Sequence, residues 1–284
     1  MKIDREKALK AFRNYTVLYN DKDNLIKLKI DHTYRVADIC DEIARGLNFD
    51  KDDIDLAWLL GLLHDVGRFE QLKRFGTLND AKSVNHAECS VKVLFNDGHL
   101  KDYIDDCRQA DIADAAYIGD ENANGKTVNT ENVKADSELM LIYKAVKYHN
   151  VFRLPEMDKR TKMFSDLLRD ADKIDIIKVN CMTPLEQIYS VSKEQILTSE
   201  ISDAVMQDLR NHSAVLRKNK CTAIDNLAGH ISLAYELVYN ISYRILDRQG
   251  YIYKLLEFVS LNDRTNTQLC EIKEDIVKYI NKLY

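Results

Sequence analysis

The chain has 284 residues, with 41 Lys and Arg against 46 Asp and Glu and a formal net charge of −5. That length holds one large domain or two modest ones with a sizeable core, and the acidic balance argues against duplex nucleic acid or an anionic membrane as main partner. Nine glycines and two prolines are too few backbone breakers for a turn-rich β-sandwich, and no apolar run reaches the roughly 18 residues that span a bilayer.

The first twenty residues, MKIDREKALKAFRNYTVLYN, alternate charged and apolar groups without a signal-peptide core, so a cytoplasmic location is expected. Residues 32–46 place Val36, Ile39 and Cys40 on one helical face, with Gly46 as a stop. Residues 53–66 are apolar nearly all round, as in a central buried helix, and Gly67 is expected to end it. Ser83 or Asn85 caps a helix through Val93 and Leu94, with Glu88 placed for a capping box. The polar, Asn-rich stretch 119–136 reads as an insertion, either a lid or a tolerated surface loop. Further helices are expected at about 137–149, 161–180, 226–247 and 271–284, and a second irregular stretch surrounds Pro184. Period-two alternation is missing, which makes the fold all-α. The expected organisation is a helical core over 1–180, including the insertion, and a C-terminal helical cap over 181–284. Six scattered cysteines without a CxxC pair read as reduced thiols.

Chemistry concentrates on histidines and acids at apolar positions. His64 and Asp65 follow Leu59, Leu60, Leu62 and Leu63, and a carboxylate there is costly to bury without a compensating positive charge. One reading pairs Asp65 with Arg68 and hydrogen-bonds His64 to backbone. Asp172 lies four residues after Leu168 and four before Ile176, on their face, whereas Asp170 and Lys173 are expected to be solvated and Asp175 to stand near Asp172. His149 continues the stripe of Ile142, Ala145 and Val146, and His32 shares a face with Val36 and Ile39. His86, in the first turn of its helix, is open to exposure. A single histidine is more often a packed residue than a ligand. Several on inward faces of separate helices favour a metal cluster, suited to Zn, Fe, Mn or Ni, with Co and Mg also in range. Four such groups satisfy one ion and six allow a pair. Gly125-Lys126-Thr127 after Gly119 imitates a phosphate-binding loop but has five residues between the glycines where four are needed. Tyr235, Tyr239 and Tyr243 form a stripe at helical spacing that reads as packing.

The order of these groups, DHTYRVADIC with His32, LLGLLHDVGRF with His64 and Asp65, and LLRDADKIDII with Asp172, resembles the HD-domain superfamily of metal-dependent phosphohydrolases over about 28–180. His86 and His149 occupy the places of two further histidines, so the series is similar to the six-ligand, dinuclear branch that includes bacterial diadenosine tetraphosphate hydrolases. The resemblance implies an HD-domain helical bundle with additional C-terminal helices. It implies two divalent ions held by His32, His64, Asp65, His86, His149 and Asp172, with Asp65 bridging. Asp65 and Arg68 are the catalytic candidates, and Arg68, Lys73, Arg74 and Thr77 the candidates for phosphate contact. The expected substrate is a small phosphorylated molecule such as a nucleotide. Tyr148 precedes His149 where cyclic-di-GMP-degrading members have paired histidines, and Arg68 stands where they carry Lys, so that substrate is disfavoured. Two other readings are an HD-fold di-iron oxygenase and a non-catalytic nucleotide sensor. Residue patterns leave the oligomeric state open.

Overall fold

Asp4 opens the first helix by accepting hydrogen bonds from the amides of Glu6 and Lys7, and side-chain caps of this kind recur along the chain. The computed structural model describes residues 1–20, 22–105 and 137–282. Among them are helices and no strands, so the protein is all-α, as expected. The chain divides into two compact units, Met1–Ala171 and Asp172–Tyr284. The insertion expected at 119–136, with Gly119, Gly125, Lys126 and Thr127, lies outside the described residues, as does Cys107.

The first unit contains α1 (Arg5–Thr16), α2 (Asn24–Gly46), α3 (Lys51–Leu63), α4 (Gly67–Phe75), α5 (His86–Val91), α6 (Leu100–Tyr103) and α7 (Ser137–Tyr148). The helix α8 (Lys159–Met182) carries the chain past Ala171. Helix α2 begins eight residues earlier than the 32–46 reading, because Asp23 caps it on the Leu25 amide. Its apolar face, including Val36, Cys40 and Ile43, is fully buried. Asn85 caps α5 on the Ala87 amide, and a π-helical turn over Lys92–Asn96 continues it.

Two glycines set how closely helices meet. A Cβ on Gly61 of α3 would lie 2.6 Å from Ala37 Cα of α2, so the absent side chain lets the two backbones touch one turn from His64. Gly67 does not end a helix. The preceding helix stops at Leu63, and Gly67 opens α4. There a Cβ would stand 2.3 Å from Ser90 N and 2.7 Å from His86 O, and the Gly67 amide donates to Ser90 Oγ at 2.9 Å. The glycine serves close approach of α4 to α5, not chain termination.

Helix α8 corrects a second expectation. Asp170 is buried and Asp172 half-buried, although Asp170 reads as solvated. Phe164, Leu167, Leu168, Ala171, Ile174, Asp175 and Ile177 are all buried as well, so the helix is covered around most of its girth and a single-face reading fails.

The second unit contains α9 (Leu185–Tyr189), α10 (Lys193–Thr198), α11 (Asp203–Arg210), α12 (Asp225–Ile231), α13 (Asn240–Gln249), α14 (Tyr251–Leu255) and α15 (Asp263–Asn281). The helix expected over 226–247 is broken. After α12 and a 3₁₀ turn over Ser232–Glu236, Leu237 and Tyr239 are extended, with ψ of 142° and 138°. The Leu237 carbonyl takes the Tyr243 hydroxyl at 3.0 Å and the Glu236 carbonyl takes Lys173 Nζ at 2.8 Å, replacing the helical ladder at the break. The tyrosines at 235, 239 and 243 therefore do not share one helical stripe. The last helix begins at Asp263, not 271, because Asn262 caps it on the Thr265 amide. Cys89, Cys181, Cys221 and Cys270 are free thiols.

The glycine contacts can be measured directly. Gly67→Ala should lower the unfolding free energy by about 1–3 kcal/mol, the usual cost of overpacking against backbone. Urea denaturation giving the wild-type midpoint would contradict the packing assigned to Gly67.

Candidate metal centre

Helix geometry delivers the histidines from four directions. His32 lies inside α2, His64 and Asp65 follow the last turn of α3, His86 starts α5, and His149 follows α7. All five side chains are buried, His86 included, so first-turn placement has not exposed it. They meet around the Asp65 carboxylate. Its Oδ2 faces His32 Nε2 and His64 Nε2, each at 3.6 Å. Its Oδ1 faces His86 Nε2 at 3.6 Å and His149 Nε2 at 3.8 Å. Each oxygen thus looks onto its own pair of imidazoles.

The outer ring nitrogens fix which inner nitrogen is basic. His64 Nδ1 lies 2.8 Å from the Gly61 carbonyl, and His149 Nδ1 lies 2.8 Å from the Val146 carbonyl. A carbonyl only accepts, so both Nδ1 atoms carry the proton. His86 Nδ1 likewise donates to Asp80 Oδ2 at 2.6 Å. In the neutral rings Nε2 then presents a lone pair inward, as a metal ligand requires. His86 Nε2 and His149 Nε2 are 3.0 Å apart. Two neutral rings so arranged set lone pair against lone pair, a contact that a proton or a metal ion between them relieves.

The donor set passes a test of fit to a cation. Nitrogen ligands about 2.0–2.1 Å from one ion stand roughly 3–3.5 Å apart, close to these separations. Asp65 Oδ1 is buried and accepts no hydrogen bond from any described residue. Its neighbour Arg68 Nε is 3.5 Å away, too long for one. A buried carboxylate oxygen without a donor is costly, and a cation on that side removes the cost. His64, Asp65 and His149 each offer a ligand atom within 4.8 Å of the others. Burial works against the Asp65 charge, but the positive groups facing it, Lys29 first, outweigh it and hold the pKa well below the carboxylate range.

Asp80 and Lys29 were missed in the sequence. Asp80 orients His86 and also accepts from Arg68 Nη1 at 2.8 Å and Gln71 Nε2 at 2.9 Å, the arrangement that fixes ring orientation at metal sites. It sits in a 3₁₀ turn six residues before His86, so no helical spacing points to it. Lys29 donates to Asp65 Oδ2 at 2.7 Å. It stands one turn before His32, a signal that appears only once α2 is extended back to Asn24. Asn150 donates to Asn85 Oδ1 at 2.8 Å, tying the end of α7 to the start of α5. Buried Arg169 Nη1 donates to the His149 carbonyl at 3.0 Å, where the helix leaves carbonyls without intrahelical partners.

The other predicted residues take varied places. Arg68 Nη1 donates to Gln71, Leu78 and Asp80 at 2.7, 2.7 and 2.8 Å. Lys73 lies over the Tyr19 ring and Arg74 over Phe75, while Thr77 accepts from the Asn79 amide. Asp172 follows Ala171 on α8, one turn beyond buried Leu168. A family model of the HD domain matches residues 30–180, which is more than half of the chain. The chain belongs to the HD-domain superfamily of metal-dependent phosphohydrolases. Curated proteins and solved structures yield no match. The His64–Asp65 pair sits where the HD-domain bundle brings α2, α3, α5 and α7 together. No described helix is long and apolar enough to cross a membrane.

Acidification should weaken this centre. Burial, then Arg68, push the His86 pKa below its ordinary 6.5 against the pull of Asp80 and Asp65. Below pH 6.5 the unfolded chain therefore binds a proton that the folded ring refuses, and stability falls with pH. Burial opposes the Asp80 charge, but its hydrogen bond to His86 and the charges of His86 and Arg68 win and lower its pKa. Its contribution is present above 3.8 and is lost as pH falls below that value. The thermal midpoint of the metal-free protein should drop from pH 7 to pH 4 through His86, and a flat profile would contradict the His86 assignment. Asp80→Asn should weaken metal binding about 10–100-fold, read by titration of cobalt absorption.

Proposed function

We propose that this HD-domain protein is a metal-dependent phosphohydrolase that cleaves a small phosphoester or phosphoanhydride, such as a nucleotide, with two divalent ions. The observation that carries this reading is the split of Asp65, one oxygen toward His32 and His64 and the other toward His86 and His149. A carboxylate so placed would offer one oxygen to an ion on each side. Asp172 is the remaining carboxylate of the series. Fe, Mn, Ni, Co and Zn suit the mixed imidazole and carboxylate donors, with Mg the hard-cation option. Divalent ions there would supply Lewis acidity and lower the pKa of a water from 15.7 toward about 7, giving a nucleophile at neutral pH.

The chain's own residues do the rest. Protonated Nδ1 atoms on His64, His86 and His149 keep their Nε2 atoms turned inward and basic. Asp80 holds His86 in that orientation, and Arg68 holds Asp80. Arg68 Nη2 has no acceptor among the described residues, and its guanidinium, 13% exposed, offers this edge to a phosphoryl oxygen. The helix turn that leads into His64 and Asp65 is apolar, and its Leu59, Leu60, Leu62 and Leu63 are fully buried. Burial in such an interior lowers the local dielectric and strengthens charge contacts to Asp65. Lys73, Arg74 and Thr77 are outer candidates for the remainder of the substrate.

Elemental analysis of gently purified protein should find two metal equivalents. A screen of phosphomonoesters and nucleotides with Mn, Fe, Ni, Co or Mg should then show turnover. Asp65→Ala should lose both metal and activity while keeping its far-ultraviolet helical signal. Full activity in that variant would end the proposal, as would iron-bound protein that turns over only with oxygen.

A further inference from the structure

Asp65 is flanked by two cations, one beside each oxygen. Lys29 Nζ is 2.7 Å from Oδ2, and Arg68 Nε is 3.5 Å from Oδ1. Their side chains are 12% and 13% exposed, against 3% for Asp65 and 0–8% for His32, His64, His86 and His149. Of the groups in direct contact with the Asp65 carboxylate, the two cations are therefore the ones most open to solvent, with Asp80 beyond Arg68 at 27%. Lys29 lies on α2 one turn before His32, on the face that meets Asp65. An ammonium has three donors, and among the described residues Lys29 uses one, on Asp65. Arg68 spends Nη1 on three acceptors and keeps Nη2. Spare donors thus stand on both sides of the carboxylate.

We propose that Lys29 binds the substrate's phosphoryl group opposite Arg68, and that the pair selects a terminal phosphoryl group over a phosphodiester. This rests on the phosphohydrolase reading above. A terminal phosphoryl group has three non-bridging oxygens and carries up to two negative charges. It can meet Lys29, Arg68 and the bound ions with separate oxygens. A diester has two such oxygens and one charge, so it leaves one of these partners unmatched.

The test is calorimetric titration of inorganic phosphate, and separately of dimethyl phosphate, into metal-loaded wild type, Lys29→Met and Lys29→Arg. Metal content is measured for each protein by elemental analysis. Wild type should bind phosphate at least about tenfold more tightly than dimethyl phosphate. Lys29→Met should weaken phosphate binding about tenfold, the usual scale for one charge-assisted contact, with metal content unchanged. Lys29→Arg should restore most of the affinity. If Lys29→Met does not fold, Lys29→Gln, which keeps a donor but no charge, carries the same expectation. Unchanged phosphate affinity in the variants would overturn the inference. So would metal loss that matches the loss of phosphate, because Lys29 would then act only on Asp65. Metal-loaded wild type that binds no phosphate also overturns it, whereas wild type that takes up no metal removes the phosphohydrolase reading itself.

Discussion

A single buried carboxylate organises the first unit. Asp65 has almost no access to water, and its negative charge is balanced by the Lys29 ammonium and the Arg68 guanidinium beside it. One of its oxygens still lacks a donor, so the folded chain holds a charge arrangement that is balanced but not satisfied. That imbalance is expensive in an apolar interior, and a fold aiming only at stability has no reason to build it. A site awaiting cations does. The same logic explains the close facing of His86 and His149, whose lone pairs oppose each other until an electrophile lies between them.

Precision at this centre depends on places with no side chain. Gly61 and Gly67 bring α3 onto α2 and α4 onto α5 at distances that any Cβ would forbid. His64 and Asp65 lie in the short segment between those two contacts. The backbone leaves α3 at Leu63 and re-enters a helix at Gly67, so the pair sits at a bend clamped on both sides. Outer contacts then fix each ring: carbonyls for His64 and His149, Asp80 for His86, and Arg169 for the chain that follows His149. Ring orientation is held by these outer hydrogen bonds, which leaves the inner nitrogens for coordination chemistry.

Much of this was legible before any coordinates. Apolar runs around His32, His64 and His149 mark buried positions, and buried histidines with an acid point to a cation. The all-α class follows from periodicity and the scarcity of breakers. Other features were hidden for definable reasons. Gly67 reads as a stop because glycine has two uses, and only the neighbouring helix shows that close approach is the one at work. Asp170 reads as solvated because a one-face pattern was assumed for a helix that is covered nearly all round. The helix over 226–247 breaks where the Leu237 and Glu236 carbonyls find side-chain donors instead of backbone amides.

Local sequence determined which segments become helices, which residues are costly to bury, and the family to which the chain belongs. These properties depend on neighbours a few residues apart, through periodicity, capping and composition. Tertiary structure alone decided that one Asp65 oxygen serves His32 and His64 and the other His86 and His149, and that Asp80 and Lys29 join them. Apart from the adjacent His64–Asp65 contact, those pairings span gaps from 6 residues for Asp80–His86 to 84 for Asp65–His149, and no local rule encodes which distant groups packing will bring face to face.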